Sequence, residues 1–253
     1  MKGFTVRTAK FKRRSTFHAV LWLLLLFTVA AALASNADDL TEPAWVYKGR
    51  GDRSYRNGEV GHAIFEYKKA LIKAKADGII YPEVSLQLAK VYKDEGLYEL
   101  AIDHIEIVER NRARLQIPDL IYETLYTKAE VFLQIERYNE ALGVYEAIIG
   151  QDSNWKSYAG TSLYELVSIA IDDDASKGRY AEAYLRIGML KYMNYNYENA
   201  IPALKMAMLY RHKWDQTLKY LLSCYEKVED SRATEYLMGL MESGEIVESR
   251  DRS

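Results

Sequence analysis

The sequence predicts an all-α protein built from repeated helical hairpins, and three observations lead to this prediction. Pairs of small residues recur twelve positions apart, each pair spanning a short polar stretch. The runs that contain these small residues place apolar side chains at i, i+3 and i+4, which buries one stripe of a helix. With 4 Pro and 14 Gly among 253 residues, few breakers interrupt long helices.

The first 37 residues form a separate element ahead of the helical body. Six Lys and Arg and no acidic residue precede an apolar run of 15 residues at 19–33, and Ala32-Leu33-Ala34 then fits a cleavage site. Ser35-Asn36-Ala37 is a second option for cleavage. We expect a secretory signal peptide; the alternative is an uncleaved anchor at 19–34, although a spanning helix needs about 20 residues. Both interpretations place the body outside the cytoplasm, in the periplasm, with membrane contact only through an uncleaved N-terminal segment.

The remaining body, residues 38–253, is acidic and contains one cysteine. The whole chain carries −2 and segment 1–37 carries six positive charges, so the body carries −8. This charge disfavours nucleic acid and anionic membrane surfaces as partners. Cys224 has no second cysteine to pair with, and its apolar helical surroundings predict a small buried hydrophobe.

The hairpins follow from the small residues taken in order along the chain. In an antiparallel hairpin with a tight turn, residues equally distant from the turn face each other, and small side chains there let the two backbones approach. A bulky residue at either position would overpack the crossing, at roughly 1–3 kcal/mol. The four pairs are Gly51/Ala63, Ala89/Ala101, Ala129/Ala141 and Gly188/Ala200.

These pairs resemble positions 8 and 20 of the tetratricopeptide repeat (TPR), in an exported bacterial member of that family. The resemblance covers about residues 44–212 and implies a right-handed solenoid of hairpins. The expected repeats lie at about 44–77, 82–115, 122–155 and 181–214. The steps between them exceed the 34 residues of the standard repeat. We therefore expect one inserted helix at about 155–171, and a last helix pair at about 215–242 that closes the stack as a cap without good repeat spacing.

No motif in the sequence carries catalytic or metal-binding chemistry. The acidic run at 172–174 lacks the alternation and glycine of a calcium loop, so we expect a solvated loop beside a helix start. The three histidines of the body are not at metal-ligand spacing, and no nucleophile, phosphate or redox motif is present. We expect no enzyme activity, no cofactor and no metal.

The resemblance implies a binding groove lined by the first helix of each repeat. It places charged side chains of both signs in that groove. It also places there an apolar group of the fourth repeat, which consists of Met189, Tyr192 and Met193. The apolar group is either exposed in the groove or covered by the inserted helix or by the cap. Asp52 and Glu123 occupy positions where the family's carboxylate clamp requires other residues, so that mode of binding is rejected. Glu83 and Leu86 are also groove positions, and the candidate partner-binding residues are Lys48, Tyr55, Lys90, Lys93, Tyr126, Glu130, Met189, Tyr192 and Met193.

The expected function is that of an extracytoplasmic scaffold that holds a protein or peptide of the cell envelope in its groove. Two alternatives stay open at this point. One is a transport accessory that partners a solute-binding protein or holds a small apolar ligand. The other is an envelope or outer-membrane assembly factor. The sequence indicates neither the partner nor the oligomeric state.

Overall fold

The computed structural model describes residues 40–79, 81–169 and 173–243, and these residues contain α-helices and no β-strand. The predicted signal peptide and the residues after 243 lie outside the described ranges. A 3₁₀ turn, Arg112–Arg114, follows the helix that ends at Arg110. The α-helices are α1 (Ala44–Arg56), α2 (Val60–Ala76), α3 (Pro82–Asp94), α4 (Tyr98–Arg110), α5 (Leu120–Gln134), α6 (Tyr138–Ile149), α7 (Ser153–Tyr158), α8 (Leu163–Leu166), α9 (Asp174–Met193), α10 (Tyr197–Leu209), α11 (Trp214–Lys227) and α12 (Ser231–Ser243).

Five pairs of these helices are hairpins with the same turn. The pairs are α1–α2, α3–α4, α5–α6, α9–α10 and α11–α12. In each turn one residue adopts a left-handed conformation, and the next backbone N–H donates to the carbonyl five residues earlier, which ends the first helix. The left-handed residues are Gly58, Gly96, Glu136, Tyr195 and Glu229. The hydrogen bonds run from Glu59 to Ser54, Leu97 to Tyr92, Arg137 to Phe132, Asn196 to Lys191 and Asp230 to Tyr225, at 2.8–3.0 Å.

The small residues lie where the hairpin argument places them. All eight are buried, and the alanines among them have no exposed surface. A Cβ at Gly51 would stand 2.6 Å from the ring of Tyr67, which lies four residues beyond Ala63. Close contact between the helices therefore depends on the missing side chain. The fold prediction of a TPR-like helical solenoid is confirmed.

The last hairpin differs from the prediction because it keeps the repeat geometry. Leu221 and Ala233 are twelve residues apart, both are buried, and Glu229 supplies the same left-handed turn. The spacing of small residues does not reveal this hairpin, because Leu221 stands where the other first helices carry glycine or alanine. The helix pair predicted for 215–242 is present as α11 and α12, as a fifth hairpin that packs on α9 and α10.

The predicted inserted helix at 155–171 is wrong as a continuous element. The chain forms two short helices, α7 and α8, and residues 170–172 lie outside the described ranges. The break has a local cause, because Ser162 and Glu165 form a capping box that starts a new helix. Apolar side chains of this segment are nevertheless in the core, where Leu163 and Leu166 are buried and Trp155 stacks on Tyr184 at 5.6 Å.

The first helix of the fourth repeat begins at Asp174, seven residues before the predicted boundary at 181. Asp173 caps it, because its side chain accepts from the backbone N–H of Ala175 and from the hydroxyl of Ser176. The sequence predicts that the acidic run lies beside the start of a helix, and Asp173 does so. Cys224 is a buried free thiol, as predicted, and burial raises its pKa to about 11.

Candidate functional site

The first helices of the hairpins form one connected row, which we call the inner row: α1, α3, α5, α9 and α11. Within it α1 packs on α3, α3 on α5, and α9 on α11. Side chains join α5 to α9, where Tyr126 donates to the carbonyl of Arg179 at 2.7 Å and accepts from the N–H of Ala183 at 3.1 Å. The inner row is the surface that a TPR-like solenoid presents on its concave side.

An open cleft of about 450 Å³ lies at the turn end of this row, between α3, α5 and α9. We call it the inner cleft. Its charged side chains are two cations and two anions, so the lining is close to neutral. Gln134 adds an exposed amide and Leu133 a half-buried apolar side chain. The lining residues are Lys93, Asp94, Tyr98, Glu130, Leu133, Gln134 and Arg186.

The candidate lysines and acids of the inner row form ion pairs with one another. Lys90 contacts Glu123 at 2.6 Å and Lys93 contacts Glu130 at 2.6 Å, and both pairs connect α3 to α5. Burial lowers the pKa of Lys93, but the hydrogen bond and charge of Glu130 outweigh it and leave the pKa above its ordinary value. These charges therefore link successive helices as well as lining the groove.

The tyrosine and lysine of the first hairpin also have partners within the chain. Lys48 pairs with Asp52 at 2.7 Å, one turn along α1. The hydroxyl of Tyr55 donates to Asp94 of α3, and burial together with that carboxylate raises the pKa of Tyr55. Both residues lie on the inner row as predicted, but their polar groups are satisfied before any partner binds.

The apolar group of the fourth repeat is only partly available, because the fifth hairpin packs beside it. Tyr192 is half-buried, and its ring meets the rings of Tyr197 and Tyr220 at 5.3 and 5.4 Å. Met189 is half-buried, and the amide of Gln216 lies 3.9 Å from its sulfur. Met193 is 56% exposed. The last helix pair, rather than the insert, thus covers part of the predicted patch.

Three residues placed in the groove by the repeat register do not face a partner. Leu86 has no exposed surface and packs with Val108 and Leu115. Glu83 is buried and accepts from the backbone N–H of Gln116 at 2.6 Å. The hydroxyl of Tyr126 already forms two hydrogen bonds with the backbone of α9. The segment that lengthens the second repeat contains Leu115 and Gln116, so this added chain lies over Glu83 and Leu86, whereas Tyr126 is occupied by α9.

Sequence reasoning missed two residues of this surface. Arg186 enters the inner cleft from α9, at a register position not included among the groove positions. Trp45 is 67% exposed at the start of α1 and is absent from the predicted binding residues. The signal for Trp45 was available, since it stands at the second position of the first repeat, where Glu123 and Glu182 stand in later ones.

Glu182 connects α9 with the loop that leads into α11. Its carboxylate accepts from His212 at 2.6 Å, Lys213 at 2.8 Å and Arg186 at 2.6 Å. Burial raises the pKa of Glu182, but the three basic partners outweigh it and lower the pKa to about 2. Glu182 thereby joins α9 to the start of the fifth hairpin, and it holds Arg186, which lines the inner cleft.

Within the three described ranges, no three His, Cys, Asp or Glu side chains converge to hold a metal ion. His104 is largely buried and stacks on Tyr92 at 5.5 Å; burial lowers its pKa to about 4. Among the helices described here, none has the length and apolar character that crossing a membrane requires.

Comparison with known proteins supports the fold. No protein-family profile matches the chain. An uncharacterized protein of Treponema pallidum (strain Nichols) is 28% identical over 82 residues, which are 32% of this chain and 22% of that protein. The chain thus spans about a fifth of the length of this curated relative.

Solved structures resemble the chain over most of its length. The crystal structure of MamA matches 83% of this chain and 96% of its own, with a TM-score of 0.57 and 21% identity. A kinesin light chain from P. anserina with nearly identical TPR-like repeats matches 83% of this chain and 100% of its own, with a TM-score of 0.55 and 12% identity. The chain has a TPR-like helical-repeat fold.

Proposed function

We propose that this protein is a non-enzymatic scaffold that binds a segment of a partner protein in the inner cleft. The observation that supports this proposal is the cleft itself, which is open and lies where three inner helices meet. Its volume is in the range of ligand-binding clefts. The TPR-like fold supports the same interpretation, since its first helices present an extended surface to a partner.

The lining of the cleft defines the kind of segment that fits. The exposed amide of Gln134 both donates and accepts, so it suits the backbone of an extended peptide. Leu133 offers contact to one apolar side chain. Because Lys93 and Arg186 are balanced by Asp94 and Glu130, a strongly charged segment gains little here. The partner segment is therefore extended and close to neutral, with an apolar side chain as its anchor.

We place this function outside the cytoplasm, in the cell envelope, on the strength of the N-terminal sequence. A basic flank, an apolar run and a small-residue site precede the first described helix. This placement is tested by fusing the full chain to a reporter that is active only after export. Activity that requires residues 1–37 is the expected result, and equal activity without them would contradict export. The transport-accessory and assembly-factor alternatives remain hypotheses that no feature of the described residues favours.

The cleft is tested by site-specific photocrosslinking in intact cells. A photoreactive amino acid replaces Gln134 in the full chain, and a second chain carries it at Lys156, an exposed position on α7 away from the cleft. We expect the probe at Gln134 to give one discrete crosslinked product, which mass spectrometry identifies as an envelope protein. The probe at Lys156 is expected not to capture that protein.

A blocking variant makes the result specific to the cleft. Gln134→Trp fills the cleft from an exposed position, so it is expected to abolish binding of the identified partner without unfolding the chain. Lys156→Trp is the matched control and is expected to leave binding unchanged. Unchanged binding by Gln134→Trp, or capture of the same partner from both probe positions, would refute the proposal.

A further inference from the structure

The outer side of the first two hairpins carries opposite charges on two neighbouring helices. Helix α2 contains four lysines and one glutamate, and α4 contains four acids and one arginine. Both are second helices of successive hairpins, so they occupy equivalent places and run in the same direction. Lys68 lies beside α4: burial of His104 lowers the pKa of that histidine, and the charge of Lys68 lowers it further. The two helices thus form adjoining strips of opposite sign.

Several of these charges have no ion-pair partner among the described residues. Lys69 pairs with Glu66, Lys73 with Asp77, and Glu109 with Lys128. The charged groups that remain are Lys68 and Lys75 on α2, and Glu99, Asp103, Glu106 and Arg110 on α4. Lys68 and Lys75 are two turns apart and share one face of α2, as Asp103 and Glu106 share one face of α4. Each helix therefore presents a net free charge of one sign: two lysines on α2, and three acids against the single Arg110 at the end of α4.

An apolar groove of about 370 Å³ lies between the two strips, and we call it the outer groove. Leu71 and Ala74 of α2, Ile107 of α4 and Tyr81 line it. Ile79 stands at its rim with 55% of its surface exposed. An apolar centre flanked by charged strips is the arrangement of a protein interface, with its desolvated core and polar rim.

We infer that the outer groove is a docking surface for a second copy of this chain, related by a twofold axis that runs along the groove, parallel to α2 and α4. The charge pattern carries this inference. A half-turn about such an axis places the lysine strip of one copy over the acidic strip of the other, and does so twice. The same rotation sets Ile79 of each copy against the apolar centre. A surface with one sign of charge would repel its own copy, whereas this surface is complementary to itself.

The inference is independent of the inner cleft, because the two surfaces lie on opposite sides of the hairpins. A partner that binds through α3, α5 and α9 leaves α2 and α4 free. A twofold pair joined by its outer sides would present two inner clefts facing away from each other, and would therefore bind two partner segments. Bivalent binding raises the effective affinity for a partner that is itself clustered.

Charge exchange between two differently tagged full-length copies tests the docking. The copies are co-expressed, and the amount of one that purifies with the other is measured. We expect wild-type copies to co-purify, and to do so less as salt is raised. Lys68→Glu with Lys75→Glu in both copies is expected to reduce recovery about tenfold, and Asp103→Lys with Glu106→Lys in both copies to do the same, because like charges then face each other.

The decisive measurement combines the two variants. One copy with the acidic replacements and one with the basic replacements are complementary again, and recovery is expected to return to within about twofold of wild type. This recovery also shows that both variants fold. Lys219→Glu with Lys227→Glu, on exposed positions of α11, is the matched control and is expected to have no effect. Gln134→Trp is expected to leave self-association intact, which separates this result from the function of the inner cleft.

Ile79→Asp gives a second test at an exposed site that does not threaten folding. We expect the same loss of co-purification, since the charge would enter the apolar centre. Three outcomes would each overturn the inference. They are absence of wild-type co-purification, wild-type recovery when either double charge reversal is present in both copies, and failure of the mixed pair to recover while Ile79→Asp has no effect.

Discussion

A methyl group on Gly188 would lie 2.5 Å from Cγ and Cδ2 of Leu204, closer than real side chains approach. Gly188 is on α9 and Leu204 on α10, sixteen residues later along the same hairpin. Gly51 and Tyr67 repeat this relationship in the first hairpin, with the same separation. The absence of a side chain on the first helix is therefore what allows the large side chain of the second helix to fill the crossing.

We predict that Gly188→Ala lowers the stability of the chain. The overpacking costs roughly 1–3 kcal/mol, and the better helix propensity of alanine recovers up to about 1 kcal/mol of it. Thermal unfolding followed by circular dichroism measures the change. Gly143→Ala on α6 is the control, because its added methyl meets nothing within 4 Å, and it is expected to raise the midpoint. A rise for both variants would contradict the packing argument.

We predict that Tyr195→Asn raises stability. Tyr195 has φ of 59° and is 82% exposed, so it bears the cost of a left-handed conformation and buries little of its ring. Asparagine tolerates that conformation better, which is expected to gain roughly 0.5–1 kcal/mol. Denaturant unfolding measures the gain. Tyr138→Asn makes the same chemical change at a helical residue and is expected to be neutral or destabilising; a gain there of the same size would point to a cause other than the backbone.

We predict a pH-dependent contribution from Glu182. Its folded pKa of about 2 lies below the ordinary value of 4.5, so its stabilising effect is present above pH 4.5 and is lost as pH falls towards 2. Allowing for partial exposure, Glu182→Gln is expected to cost about 1–2 kcal/mol near pH 7, and this cost is expected to shrink below pH 4.5. Urea unfolding at a series of pH values measures it. Glu226→Gln, at an exposed acid of α11, is the control, and an equal, pH-independent cost for both would contradict the role of the three basic partners.

We predict that Asp152 holds the insert against the hairpins. Asp152 is 4% exposed and accepts from the hydroxyls of Tyr184 at 2.9 Å and Tyr210 at 2.8 Å. Burial and this carboxylate raise the pKa of both tyrosines. Asp152→Ala leaves two buried hydroxyls without their acceptor, at a cost of roughly 2–4 kcal/mol.

The local consequence distinguishes this role from a general loss of stability. Limited proteolysis under native conditions is expected to cut the Asp152→Ala chain first within residues 153–169, before the helices on either side. Asp215→Ala, at an exposed acid, is expected to leave the cleavage pattern unchanged. A pattern in which the variant loses the insert no faster than α1 would show that Asp152 does not hold it.

The repeat register was accessible from sequence where both helices of a hairpin carry a small residue. It failed at α11 and α12, because Leu221 is large although the turn at Glu229 and the spacing to Ala233 are those of the other hairpins. The break in the insert has a sequence signal in Ser162 and Glu165, which form a capping box, although apolar residues at helical spacing continue on both sides of it.

The sequence assigns most candidate site residues to the correct helices, but it does not show whether their side chains are free to bind a partner. Sequence assigned Lys90, Lys93 and Glu130 to the inner row, where they lie, yet it treated them as free for a partner. Their ion pairs join residues 33 and 37 positions apart, so they depend on how one hairpin rests on the next. The same holds for Tyr192, which Tyr220 of the fifth hairpin partly covers.

The sequence by itself determined the hairpins, because a helical stripe, a tight turn and a small residue act over about twelve positions, within reach of local interactions. Only the tertiary structure decided which groove side chains are available, where the insert rests and that α2 and α4 set opposite charges side by side. Those outcomes depend on how successive hairpins stack on one another. Contacts between residues far apart in the chain, such as the one between Glu182 and His212, determine that stacking.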